Sequence, residues 1–202
     1  MSDYIAIFIF FFAVIDPIGT VPVFIAVTSG FEDTVKRKIA VQAAIVSACI
    51  LLFFVIAGEV ILTAIDIPLP AFQIAGGLVL FLFALTMIFG ESKPEEEMEL
   101  AKSGGDTAIF PLAVPSIASP GAMLAAVLLT DKQRFDIFEQ VQTTVIMLSV
   151  LLVVLLLMLA ASWVHRLIGN AGASVISRVM GLLLSSVAVA NVLAGIKEYF
   201  VL

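Results

Sequence analysis

Two short stretches carry residue types that a lipid-spanning segment normally avoids. Asp16-Pro17-Ile18-Gly19 interrupts the apolar run AVIDPIGTVPVF at 13–24, and Ser119-Pro120-Gly121-Ala122 interrupts PLAVPSIASPGAM at 111–123. In each, a residue whose side-chain oxygen can accept from backbone N–H groups, Asp16 or Ser119, stands directly before a proline. That order marks a helix start: Ser or Asp caps free amides, and proline needs no donor at the first helical position. A helix that starts inside a membrane aims free N–H groups and about half a positive charge at the space before it. The chemistry on offer is capture of a carboxylate at Ser119–Ala122 and attraction of an ammonium group by Asp16. The candidate ligand-binding residues are thus Asp16, Pro17, Ile18, Gly19, Thr20 and Pro22 on one stretch, and Pro115, Ser116, Ser119, Pro120, Gly121 and Ala122 on the other. Gly19 and Gly121 allow close approach of the backbone, and Pro22, Pro111 and Pro115 loosen it further.

An aspartate at mid-bilayer costs about 2.5–3.5 kcal/mol on insertion scales. No Lys, Arg or His lies deep in an expected span, so an ionised Asp16 needs a proton, a metal ion or a solute amine beside it. Asp16 is the first candidate for a coupling-ion carboxylate. Glu59, about 9 Å of helix from the end of the second span, is the other, with pairing at the interface as its plainer role. For Asp16 the plainer alternative is a cap on a kinked helix with no ligand. A matching break in a second span argues against it, because helix breaks at that depth occur where backbone is buried or lines a cavity.

These residues need spans to hold them. Of 202 residues, 62% are hydrophobic and 13% charged, and the mean hydropathy is +1.20. That composition belongs to an integral membrane protein. The net charge of −6 is carried mainly by loops and implies neither a nucleic-acid partner nor a cofactor. The single cysteine, Cys49, excludes an internal disulfide and is expected as a small buried residue. Runs of about 20 apolar residues give six expected spans, at 4–29, 39–65, 71–90, 107–130, 140–165 and 175–199. The first reads as a retained span rather than a signal peptide. Residues 91–106, ESKPEEEMELAKSGGD, read as a solvated acidic linker between two halves. With alternating sides, Lys36, Arg37, Lys38, Lys93, Lys102, Arg166 and Arg178 share one face and Lys132, Arg134 and Lys197 the other. The basic bias places the first face in the cytoplasm and both termini in the periplasm.

The halves resemble each other. Asp16 follows the start of the first span by the same distance, twelve residues, as Ser119 follows the start of the fourth. FQIAGGLVLFLFAL (72–85) aligns with ISRVMGLLLSSVAV (176–189), setting Gly77 over Gly181. Three spans per half invert the second half relative to the first. The expected fold is therefore all-α, six transmembrane helices in two inverted three-helix repeats, 1–90 and 107–202, with the first and fourth helices broken at mid-bilayer. Inverted repeats with interrupted spans at equivalent positions point to a transporter site. Gln42, Gln73, Gln142, Thr143 and Asn191 are candidates to line the pocket, with interhelical hydrogen bonding as their plainer role. Two small-residue stripes, Ala40/Ala44/Ala48 and Ser186/Ala190/Ala194, are read as close packing faces. Trp163 and His165 are read as an interfacial anchor at the end of the fifth span.

DPIGTVPVF and PLAVPSIASPGAM together resemble the paired motifs of the MarC family of six-span membrane proteins, over nearly the whole chain. The motif positions carried over are Asp16, Pro17, Ile18, Gly19 and Pro22, then Pro115, Ser119, Pro120 and Gly121. The resemblance implies an inner-membrane protein of inverted-repeat design and, from several relatives, transport of small neutral amino acids such as glycine and alanine. Many relatives carry Asn at the positions of Asp16 and Thr20, and Gly at that of Ser119. The expected function is secondary transport of a small zwitterionic solute across the bacterial inner membrane by alternating access. Proton or sodium coupling, export of other metabolites, a passive channel and a homo-oligomer stay open. No Ser–His, Cys–His or metal-ligand spacing favours an enzyme.

Overall fold

The computed structural model describes residues 4–89, 108–132 and 134–200, and every regular element among them is helical. The expected linker at 91–106 lies outside these residues. In chain order the elements are α1 (Tyr4–Ile15), α2 (Pro17–Val27), α3 (Asp33–Ala64) and α4 (Leu69–Phe89). Then come an irregular, widely wound segment (Ala108–Ile117), α5 (Pro120–Leu128), α6 (Ile137–Leu159) and α7 (Ala161–Tyr199). Five stretches are long and apolar enough to cross a membrane, and the bent pair Ala108–Ile117 with Pro120–Leu128 makes a sixth.

The first span breaks where the sequence indicates. Asp16 takes a left-handed conformation (φ 50°, ψ 68°) between α1 and α2, and its side chain accepts from Gly19 N. Pro17 has no N–H to offer the preceding turn, so a helix restarting there loses nothing. The fourth span breaks more severely, bending by 57°. Its second half, α5, starts as expected with Ser119 as cap and Pro120 at the first position. Its first half is not the regular half-helix expected: Phe110 and Val114, each before a proline, are extended (φ −130° and −134°). The ring of a proline disfavours helical backbone at the residue before it, and Pro111 and Pro115 impose this twice in ten residues.

Three boundaries differ from expectation by three residues or more. α3 begins at Asp33 rather than 39, so Lys36, Arg37 and Lys38 lie on its first turns rather than in a loop. α6 begins at Ile137 rather than 140, through a reciprocal cap: Asp136 Oδ1 accepts from Glu139 N (2.7 Å) and Glu139 Oε2 from Asp136 N (3.2 Å). It ends at Leu159, not 165; the chain turns at Ala160 and His165 falls in α7. Within α7, Gly169 adopts φ 65° and separates a first stretch from the spanning part, Ser174–Tyr199.

Helices α4 and α7 pack antiparallel along a seam of small residues. A Cβ added to Gly195 would lie 2.9 Å from the Pro70 carbonyl oxygen, one on Gly77 would lie 3.1 Å from that of Ala188, and one on Gly181 would lie 3.0 Å from that of Ala84. Along this seam one number rises by seven as its partner falls by seven. A seven-residue repeat is the period of a left-handed helix pair, and glycine lets the backbones touch. Gln73 Nε2 donates to Asn191 Oδ1 across the same pair (3.2 Å), as expected of an interhelical residue.

The first expected small-residue stripe is internal: Ala40 and Ala44 are buried and Ala48 half-buried in α3. The second is not. Ser186, Ala190 and Ala194 all face outward, because the seam runs through Gly181, Ala188 and Gly195 on another side of α7. Gln42 is also exposed. So is Cys49, against expectation; it shares an outward stripe with Ile45 and Phe53 on α3, where a thiol is apolar enough to face lipid. Tyr4 OH donates to Gln142 Oε1 (2.7 Å), and Arg134 pairs with Glu198. The first and last described turns therefore meet the start of α6 and the loop before it, on the same end of the bundle.

Candidate functional site

The two breaks are in contact. Ser119 Oγ donates to the Val14 carbonyl at 2.7 Å and accepts from Ala122 N at 3.1 Å. One hydroxyl thus caps α5 and reaches the last turn of α1. A second link joins Thr20 Oγ1 and Ser116 Oγ at 3.2 Å. Thr20 Oγ1 also donates to the Asp16 carbonyl at 3.0 Å. Asp16 Oδ1 accepts from Gly19 N at 3.0 Å. Asp16 is 2% exposed, and Thr20, Ser116 and Ser119 are 0% exposed. Four polar side chains thus converge in the apolar interior, each bonded to backbone or to another of the set.

The break is shaped by its glycines. A Cβ on Gly19 would overlap the Asp16 carboxylate, and one on Gly121 would lie 2.6 Å from Leu80 Cδ1 and 3.4 Å from Val14 Cβ. Gly19 therefore lets the aspartate fold back onto its own helix start. Gly121 lets α5 approach α1 and α4.

Of the residues expected at the site, Asp16, Pro17, Gly19, Thr20, Ser116, Ser119, Gly121 and Ala122 are buried together. Ile18, Pro22 and Pro115 are half-buried, and Pro120 faces outward. Glu59 stands apart. Ser47 of α3 reaches the Ala113 carbonyl beside the break (3.4 Å), and Glu59 lies twelve residues further, about 18 Å along the helix. There Glu59 Oε2 accepts from Lys132 N at 3.2 Å and lines a cleft at the end of the bundle with Asp66 and Asp131. Ser47, fully buried and also bonded to the Ala43 carbonyl, was not singled out from the sequence. The available signal was a lone hydroxyl beside the Ala40/Ala44/Ala48 stripe.

Each end of the bundle carries a cleft. One, of about 170 Å³, lies between the end of α2, the start of α3 and the α6–α7 turn, and includes Thr28 and Ser162. The other, of about 430 Å³, lies between the end of α3, the turn before α4 and Asp131 after α5. Each thus borders the end of one broken span.

The comparisons with known proteins agree with this architecture. A family model described as MarC family integral membrane protein matches residues 1–200. Among curated proteins, a UPF0056 membrane protein of Archaeoglobus fulgidus is 32% identical, with 100% of this chain and 95% of that protein aligned. One from Methanocaldococcus jannaschii is 34% identical over 98% of this chain and 97% of its own. The UPF0056 membrane protein YvbG of Bacillus subtilis is 31% identical over 98% and 96%. No solved structure matches. A multi-pass bundle of apolar helices and a match across almost its full length lead to one assignment: the chain belongs to the MarC family of integral membrane proteins.

Proposed function

We propose that the protein is a secondary transporter of small neutral amino acids, of the glycine, alanine and serine type, in which the meeting point of the two broken spans is the solute site. The observation that carries this reading is the pair of bonds Ser119–Val14 and Thr20–Ser116, which join two interrupted spans in the buried interior. Asp16 illustrates the recognition chemistry. Pro17 offers no N–H, and the next turn donates Gly19 N to a carboxylate. At the other break Pro120 likewise offers none, and Ala122 N donates to a neutral hydroxyl. When the breaks part, a solute carboxylate takes the place of Ser119 Oγ at the uncharged start of α5, and its ammonium lies toward Asp16.

Two inverted repeats, 1–90 and 107–202, fit the same reading. If Gly77 is equivalent to Gly181, Ala84 is equivalent to Ala188, and the observed contacts are Gly77 to Ala188 and Gly181 to Ala84. That reciprocal exchange is what a two-fold axis between α4 and α7 requires. The cleft lined by Glu59, Asp66 and Asp131, beside the end of the second broken span, gives alternating access one mouth. The basic residues of the α3 start favour a cytoplasmic position for that face and periplasmic termini, in a bacterial inner membrane.

Uptake into proteoliposomes tests the reading. Saturable uptake of glycine, alanine or serine, responsive to a proton or sodium gradient, is expected, with no uptake of large or charged amino acids. Flux that neither saturates nor responds to a gradient would make the protein a channel; no flux of any small zwitterion would refute transport. Asp16→Asn keeps the cap, since an amide oxygen also accepts from Gly19 N, and removes the carboxyl group. Retained binding with loss of gradient-driven accumulation is expected; unchanged accumulation would remove Asp16 from coupling.

A further inference from the structure

The smaller cleft has features that solute transport does not use. It contains Lys36 and Arg37 from the first turns of α3, with Asp33 near them. Lys36 Nζ and Asp33 Oδ1 are 3.6 Å apart, so the group carries one surplus positive charge. The opposite cleft is lined by Glu59, Asp66 and Asp131 and carries the reverse sign. The apolar wall of the first cleft is Met158 and Leu159, at the end of a membrane-length helix, and Leu159 is 46% exposed toward the surface that lipid must cover. Next to Ser162 of the cleft, Trp163 is 66% exposed. An outward tryptophan at the end of a span marks headgroup depth.

We propose that this cleft seats the phosphodiester headgroup of an anionic phospholipid, with Lys36 and Arg37 on the phosphate and the acyl chains descending past Leu159. Three observations converge on a lipid rather than a soluble anion: a surplus cation, an apolar exit into the bilayer, and a position at the level of Trp163. A phosphodiester carries one negative charge and matches the surplus. The opposite cleft repels the same headgroup, so the preference belongs to one leaflet.

Trp163 is the only tryptophan of the chain, and it adjoins Ser162, so its fluorescence reports on lipid beside this cleft without labelling. The full-length protein is placed in phosphatidylcholine nanodiscs holding increasing fractions of phosphatidylglycerol with a nitroxide near the headgroup. A parallel series uses phosphatidylcholine with the same nitroxide. Half-maximal quenching of Trp163 is expected at about a fivefold lower mole fraction of the anionic lipid, as befits one net cation at an anionic surface. Lys36→Gln with Arg37→Gln removes the difference, Lys36→Arg with Arg37→Lys keeps it, and Lys132→Gln with Lys197→Gln at the other end leaves it unchanged. Equal quenching by both lipids, or a preference that survives the double Gln variant, would overturn the proposal. So would displacement of the labelled lipid by millimolar inorganic phosphate at constant ionic strength, which would assign the cleft to a soluble anion.

Discussion

Ser119→Leu abolishes uptake while Ser119→Gly largely preserves it. The serine hydroxyl serves two partners at once, the Ala122 N–H and the Val14 carbonyl, in a place with no solvent access. Leucine removes both bonds. Loss of a cap costs about 1 kcal/mol, and the Val14 carbonyl left without this donor about 1–3 kcal/mol. Leucine also needs space where Ile117, Ala118 and Ala122 are 0% exposed, and overpacking costs about 1–3 kcal/mol more. The larger effect is on the site itself, because the side chain fills the volume that a solute carboxylate would occupy. Glycine also loses the bond to Val14, but as a cap it is within a few tenths of a kcal/mol, and it leaves that volume open. Uptake by the two variants at matched protein content checks the claim. Transport by Ser119→Leu at the level of the unsubstituted protein would move the solute elsewhere.

Gly181→Leu separates α4 from α7 and lowers stability more than any outward substitution on the same helix. A side chain at 181 meets the Ala84 carbonyl oxygen and Met87 Cβ, both at 3.0 Å from the added Cβ. Backbone cannot swing aside as a side-chain tip can, so the helices must move apart. The loss is about 1–3 kcal/mol or more, roughly 2–12 °C in Tm for a chain of this size. Ala190→Leu is the control: its position faces outward, and a larger apolar side chain there meets only lipid. Thermal melts of the purified variants in one detergent measure both. Equal melting temperatures would show that the α4–α7 seam is not the close contact described.

The two prolines that follow capping residues made the breaks legible, because Asp-Pro and Ser-Pro state a helix start in local terms. The start of α6 was equally legible in Asp136 and Glu139, a reciprocal cap three residues apart that the hydrophobic run at 140 overshadowed. Other features depend on partners and cannot be read locally. α7 offers two small-residue stripes, and only the position of α4 decides that Gly181, Ala188 and Gly195 face inward while Ser186, Ala190 and Ala194 face out. Ser47 resembles any serine on a membrane helix until Ala113, 66 residues away, comes beside it. The bond from Ser119 to Val14 spans 105 residues, and no periodicity in either segment encodes it. In Ala108–Ile117 the residue-by-residue rule for X-Pro held, while the assumption of a regular half-helix did not.

The central claim is that the two breaks part for each solute that crosses. Thr20→Cys with Ser116→Cys, in a Cys49→Ser background, replaces the two hydroxyls now 3.2 Å apart with a bond that can be closed by oxidation and reopened by reduction. Uptake of labelled alanine into proteoliposomes is measured in both states of the same preparation. The expected result is flux at background when the pair is oxidised and full recovery on reduction. Undiminished flux through a protein whose breaks are covalently joined would contradict the account.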